Sequence, residues 1–78
     1  MGLDSDYYPV KMMQILLNGT PTPITDGLTA GGLVRQLDLA GKRIALEVNG
    51  AIVPRSQHPE FRFSPDDRVE IVHAIGGG

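Results

Sequence analysis

The 78-residue chain contains no cysteine and no tryptophan. Without cysteine no disulfide braces the fold, and no thiolate is available as a nucleophile or soft metal ligand. Any sulfur chemistry must bring its sulfur from another molecule. Neither charge sign is in large excess: seven Lys and Arg against nine Asp and Glu leave a net charge of −2 with the signs interspersed. No basic stripe is offered to phosphates, which argues against a nucleic-acid partner. Long apolar runs are missing too. Nothing approaches the roughly 20 consecutive apolar residues that cross a bilayer, and no basic segment followed by an apolar one opens the chain. No membrane partner is expected, and a soluble cytoplasmic protein is the default expectation. The length allows one domain, near the lower limit at which a single core suffices.

Reactive groups are equally scarce. Of the two histidines, His58 sits beside Pro59 in an irregular segment and is expected to be an exposed polar residue. His73 falls in step with Val69, Ile71 and Ile75, so it is expected to be partly buried near the end of the last strand. Neither has a triad partner in sequence reach, and one imidazole alone does not define an acid/base site. Asp66-Asp67 reads as a turn pair accepting local backbone donors. Ser56 has no G-x-S-x-G surround. Gly27 and Gly31-Gly32 lack the Lys-Ser/Thr or G-x-G-x-x-G context of a phosphate cradle. The chain is therefore expected not to be an enzyme, to bind no cofactor and to hold no metal.

What is present is periodic structure. Residues 1–12, with Gly2, Pro9 and a Tyr7-Tyr8 pair, show no period that would bury a face and read as a disordered N-terminal extension. From Met13 the pattern becomes regular, with Met13, Ile15 and Leu17 alternating as on a strand. Asn18-Gly19 supplies a type I′ hairpin turn, and Thr20 to Thr25 returns. Pro21 and Pro23 confine that strand to a sheet edge, because each lacks a ladder donor. Thr29 stands as a helix N-cap before Ala30, Leu33, Val34 and Leu37, an i, i+3, i+4, i+7 stripe. Gly31 and Gly32 weaken the helix at its start by about 1 kcal/mol each relative to Ala. Gly41 is expected to close the helix, with Lys42-Arg43 complementing its negative end.

Ile44-Ala45-Leu46-Glu47-Val48 alternates cleanly, Asn49-Gly50 repeats the turn signal, and Ala51-Ile52-Val53 is stopped by Pro54. Arg55 to Pro65 reads as irregular, anchored by Phe61 or Phe63. Arg68 to Ile75 is the final strand, apolar at both Ile71 and Val72 and so expected at the sheet centre. One helix with four to five strands implies a two-layer α+β domain over residues 13–75.

Residues 76–78 are Gly76-Gly77-Gly78, expected to form a flexible tail. Glycine lets another surface approach the main chain closely, so such a tail fits a channel too narrow for side chains. Extended, three residues reach roughly 10 Å. The plain alternative is a frayed end. With no reactive centre in the body, the chemistry is expected at the terminal carboxylate. A carboxylate is a poor electrophile, and conversion to an acyl adenylate supplies a leaving group.

These features resemble the ThiS family of sulfur carriers of thiamin biosynthesis. The resemblance rests on Gln14-Ile15-Leu16-Leu17-Asn18-Gly19, the helix after Thr29, the run from Ala45 through Ile52-Val53-Pro54-Arg55, and the closing Gly77-Gly78. It implies a ubiquitin-like β-grasp fold. It further implies that Gly78 is adenylated by a partner of the ubiquitin-activating type using ATP and magnesium, and is then converted to a thiocarboxylate. The implied sulfur source is an enzyme of the cysteine desulfurase type, and the acceptor is thiazole synthase. Gly76 and Gly77 would thread the partners' active sites. The sheet face away from the helix, bearing Leu16, Ala45, Glu47, Val72 and Ala74, is the expected docking surface, with Arg55 a further contact. Two other readings stand beside this one: the small subunit of molybdopterin synthase, whose sulfur also travels on a Gly-Gly terminus, and a non-covalent ubiquitin-like interaction module.

Overall fold

The computed structural model describes residues 11–73. Residues 1–10 of the expected 1–12 extension, with Tyr7 and Tyr8, and residues 74–78 lie outside them, whereas Met12 already belongs to the first strand, paired with Thr25. Strand β1 (Met12–Leu17) turns into β2 (Thr20–Thr25), helix α1 (Ala30–Gln36) follows, then β3 (Ile44–Val48), β4 (Ala51–Ile52), a 3₁₀ turn (Arg55–Gln57) and β5 (Arg68–His73). The five strands form one sheet in the order β2-β1-β5-β3-β4. β1 and β5 run parallel, and the other neighbours run antiparallel. This mixed sheet with one helix is the α+β, β-grasp arrangement. No helix among the described residues is long and apolar enough to cross a membrane.

Both Asn-Gly pairs make the turns that their chemistry favours. Asn18 and Gly19 have φ of 49° and 84°, and Asn49 and Gly50 have 53° and 87°, the two positive angles of a type I′ hairpin. The ladder closes around each, Leu17 opposite Thr20 and Val48 opposite Ala51. Because β2 is an edge strand, Pro21 and Pro23 point their donorless nitrogens away from β1 at no cost to the ladder. At the centre, Val69 and Ile71 of β5 join Ile15, Leu46, Val48, Ala30 and Leu33 in one buried cluster completed by Ile24, Val53 and Phe63. Burying a side chain such as Leu33 contributes about 1.5–3 kcal/mol. Phe61 meets Phe63 edge to face, with ring centroids 5.6 Å apart and planes at 72°, so both aromatics anchor the segment and Phe63 is the buried one.

The helix is shorter than its sequence stripe. It ends at Gln36, Leu37 is its C-cap, and Leu37 is left 39% exposed. The residue that closes it is Asp38, at φ 61°, and not Gly41. The Asp38 N–H donates to Arg35 O (3.0 Å) and the Leu39 N–H to Val34 O (2.9 Å). That pair of bonds is a Schellman motif, in which the residue after the left-handed one folds back onto the helix. Leu39 accordingly packs on the core in the place expected for Leu37. Gly41, at φ 81°, belongs to the next turn, closed by Lys42 N–H to Leu39 O at 3.0 Å. Lys42 and Arg43 thus lie beyond that turn, and Arg35 is the basic residue of the last helical turn.

The start of α1 is well tied despite its glycines. The Thr29 hydroxyl accepts from the Gly32 N–H at 3.1 Å. The Ala30 N–H reaches Phe61 O (2.8 Å) and the Gly31 N–H reaches His58 O (2.9 Å). Donors that a helix start leaves without partners are therefore satisfied by the loop. A Cβ on Gly31 would meet His58 O at an ordinary 3.4 Å, whereas one on Gly32 would stand only 2.7 Å from Leu28 Cδ1, so the second position is the crowded one.

Both histidines depart from expectation. His58 is buried, 9% exposed, with Nε2 3.0 Å from Val53 O. The irregular segment curls inward through bonds such as Gln57 N–H to Pro54 O and Phe61 N–H to Gln57 O, which carries the ring under the helix start. His73 is exposed. It keeps the inward phase of Val69 and Ile71, but the β1 register ends at Leu17 opposite Val69, so cover on that side has stopped before His73.

Candidate tail-presenting site

Gly76, Gly77 and Gly78 lie outside the described residues, as does Ala74. What the structure defines is the body that carries them. The strand leading to the tail is β5, the central strand, flanked by β1 and β3. On the β3 side its pairing runs from Val48 opposite Val69 to Ile44 opposite His73. On the β1 side the register covers Leu16 opposite Arg68 and Leu17 opposite Val69.

Two side chains extend the hold on β5, and both belong to the turn asparagines. The Asn18 main-chain N–H donates to Val69 O at 2.8 Å. Its carboxamide then takes both main-chain groups of Ile71: the Ile71 N–H donates to Oδ1 (2.9 Å), and Nδ2 donates to Ile71 O (3.3 Å). A carboxamide has the donor and acceptor of a peptide group, so it continues a ladder as one more residue would. At the opposite end of β5 the Arg68 N–H donates to Asn49 Oδ1 (2.9 Å), and Asn49 Nδ2 donates to Asp67 Oδ1 (2.9 Å). Asp67 Oδ2 accepts the Ser64 N–H at 2.8 Å, the local turn role expected of this acid. The two Asn-Gly signals were legible as turns. Contacts 53 positions apart in the chain, as between Asn18 and Ile71, leave no periodic trace in the sequence.

The register places four of the expected docking residues on one face. Ala45 stands opposite Val72, and Glu47 opposite Glu70 and Ile52. Leu16 stands opposite Arg68. Leu16, Ala45 and Glu47 are half-buried, Val72 is 54% exposed and Ile52 is 59% exposed. Apolar and charged positions therefore alternate across the face turned away from α1, and Ile52 is an apolar member that sequence reasoning passed over. An open depression at its edge is lined by Asn49, Gly50, Arg68 and Glu70.

Arg55 is not part of that face. It lies on the helix side, where it lines a cleft of about 180 Å³ with Val34, Arg35, Leu39, Ile44 and His58. Its guanidinium donates to Lys42 O at 2.8 Å, which ties the 3₁₀ turn to the approach of β3. Among the described residues no group of three His, Asp or Glu side chains is placed to hold a metal ion.

Comparison with known proteins bears on the same chain. The model of the ThiS family matches residues 15–78. A thiazole synthase of Magnetococcus marinus is 41% identical over 66 residues, which are 85% of this chain and 20% of that protein. A thiazole synthase of Paramagnetospirillum magneticum is 32% identical over 66 residues with the same coverage. The chain thus spans about a fifth of the length of these two relatives. The ycf40 protein of Porphyra purpurea is 32% identical over 68 residues, covering 87% of this chain and 96% of the relative. The crystal structure of a thiamine biosynthesis protein (ThiS) from Geobacter metallireducens superposes with a TM-score of 0.74 at 26% identity, covering 85% of this chain and all of that one.

Proposed function

Since the chain belongs to the ThiS family and has its β-grasp fold, we propose that it is a sulfur carrier of thiamin biosynthesis and that the carboxylate of Gly78 is its working group. The observation that supports this reading is the reach of the family match, which runs through Gly76 and Gly77 to residue 78. The protein serves as a co-substrate of partner enzymes.

The steps follow from carboxylate chemistry. A Gly78 oxygen attacks the α-phosphorus of ATP, pyrophosphate leaves, and an acyl adenylate forms. This replaces an oxide leaving group by AMP and splits one difficult substitution into two easier ones. The terminal sulfur of a donor persulfide then adds to the acyl carbon and AMP departs, leaving an acyl disulfide; a thiol reductant cleaves its S–S bond, forming a disulfide with the donor sulfur and releasing the thiocarboxylate, so the terminus has exchanged one oxygen for sulfur. ATP and magnesium belong to an activating partner of the ubiquitin-activating type, the sulfur comes from a donor of the cysteine desulfurase type, and thiazole synthase receives it. Gly76 and Gly77 carry the reacting carbonyl into sites that close around it and exclude water. Leu16, Ala45, Glu47 and Val72, on the face away from α1, meet the partners, with Arg55 as a separate contact on the helix side.

Intact-mass spectrometry tests this reading. Incubation with the activating enzyme, ATP and a sulfur donor is expected to give the mass change of one oxygen replaced by one sulfur, localised to the C-terminal peptide. An unchanged mass with an enzyme shown to be active under the same conditions refutes it.

A further inference from the structure

The structure holds a feature that the carrier chemistry does not by itself require, the Asn18 carboxamide on the main chain of Ile71. Resting on the sulfur-carrier reading above, we propose that Asn18 is a positioning residue for the tail, acting by fixing β5 at Ile71 from the β1 side. β1 gives out before β5 does: its register ends with Leu17 opposite Val69. Main-chain groups of Val69 and Ile71 face β1, since the Val69 carbonyl accepts from the Asn18 N–H and both Ile71 groups meet the Asn18 side chain. One side chain therefore carries the β1 edge a full step further along β5, to within two residues of His73. Beyond it the strand is held from the β3 side through Ile44 opposite His73.

A strand gripped from both sides at Ile71 emerges in one direction. A strand gripped from one side beyond Val69 is free to pivot about β3, and whatever follows His73 pivots with it. Transfer at a terminal carbonyl depends steeply on placement, with about a hundredfold lost for a 1 Å displacement. Docking, by contrast, depends on the sheet face, which Asn18 does not join.

The second asparagine supplies the control. Asn49 has the same turn, the same positive φ and a similar bidentate hold, but on Arg68 and Asp67 at the far end of β5. Glycine is the informative replacement, because it keeps the left-handed turn conformation and deletes only the carboxamide. Asn18→Gly and Asn49→Gly are to be compared in the full chain by amide hydrogen exchange and by steady-state thiocarboxylate formation with the activating enzyme. Asn18→Gly is expected to lower exchange protection at Ile71 by about tenfold, the effect of losing one ordinary hydrogen bond. It is expected to lower kcat for sulfur loading by about tenfold or more with KM unchanged. Asn49→Gly is expected to leave both Ile71 protection and kcat as in the wild type.

Equal kcat in Asn18→Gly and wild type, or equal losses in the two glycine variants, overturns the positioning role while leaving the carrier reading intact. A wild-type chain that gains no sulfur refutes the carrier reading, and the positioning role falls with it. Loss of Ile71 protection without any change in kcat reduces Asn18 to a structural tether and also overturns the proposal.

Discussion

Replacing each glycine of the first helical turn by alanine separates helix propensity from packing at neighbouring positions. Propensity alone favours Ala over Gly by about 1 kcal/mol at either site. A Cβ on Gly31 would sit 3.4 Å from the His58 carbonyl oxygen, an ordinary contact, and the Gly31 N–H bond to that oxygen is retained. Gly31→Ala is therefore expected to keep most of the gain and stabilise the protein by about 0.5–1 kcal/mol. At Gly32 the new methyl would lie 2.7 Å from Leu28 Cδ1. Leu28 packs on the core, so turning its side chain aside costs about 0.5–1.5 kcal/mol in rotamer energy, besides lost contact. Gly32→Ala is expected to be neutral or destabilising by about 0.5 kcal/mol once the two terms are set against each other.

Urea unfolding followed by far-ultraviolet circular dichroism measures both, and a 1 kcal/mol change corresponds to about 4–8 °C in Tm for a domain of this size. Trimming the obstacle completes the argument. In a Leu28→Ala background, Gly32→Ala is expected to become stabilising, a coupling of about 1 kcal/mol between touching residues. Equal stabilisation by the two alanines in the wild-type background would refute the reasoning, as would a Gly32→Ala effect that ignores residue 28.

Deleting Gly78, or blocking it as an amide, is expected to abolish sulfur loading in the mass assay while leaving the thermal transition where it was; a non-covalent interaction module would keep its function. Val72→Asp, at a position 54% exposed and opposite Ala45, is expected to raise KM for the partner about tenfold, equivalent to about 1.4 kcal/mol, with Tm changed little; an unchanged KM would remove Val72 from the docking face. Leu33→Ala, at a core side chain 2% exposed, is expected to cost about 3 kcal/mol in urea unfolding, a large share of the roughly 4–12 kcal/mol available to a chain of this length.

Most of the architecture was legible because it rests on short-range rules. Alternation located β1, β3 and β5, two Asn-Gly pairs marked the hairpin turns, and Pro21 with Pro23 sent β2 to the edge. Adjacent apolar residues Ile71 and Val72 placed β5 at the centre. The misreadings share a different cause. Glycine reaches positive φ freely, which makes Gly41 the expected helix stop, yet Asp38 takes that conformation, sustained by the Schellman bonds and by Leu39 turning onto the core. Polar and proline neighbours point His58 outward, but Val53 O and the inward curl of the loop give its ring a buried site. For the candidate site, the face shared by Leu16, Ala45, Glu47 and Val72 followed from strand parity, whereas Arg55 could be assigned to the helix side only from its bond to Lys42 O. The grip of Asn18 on Ile71 depends on the two being brought together by the parallel pairing of β1 and β5, which no local pattern encodes.

Parity along β5 carries one more consequence for how such a body works. Val69 and Ile71 lie in the core, while Arg68, Glu70 and Val72 alternate with them on the outer side. The residues that a partner would touch and the residues that hold the domain together therefore share a single strand, and that strand continues into the tail. On the proposed reading, a partner docked on Val72 would hold the same strand whose backbone is bonded to its neighbours on both sides as far as Ile71. His73 keeps the core phase but is exposed. On the same reading, the body would contribute to transfer through the fixed relation between its outer face and the core-held strand.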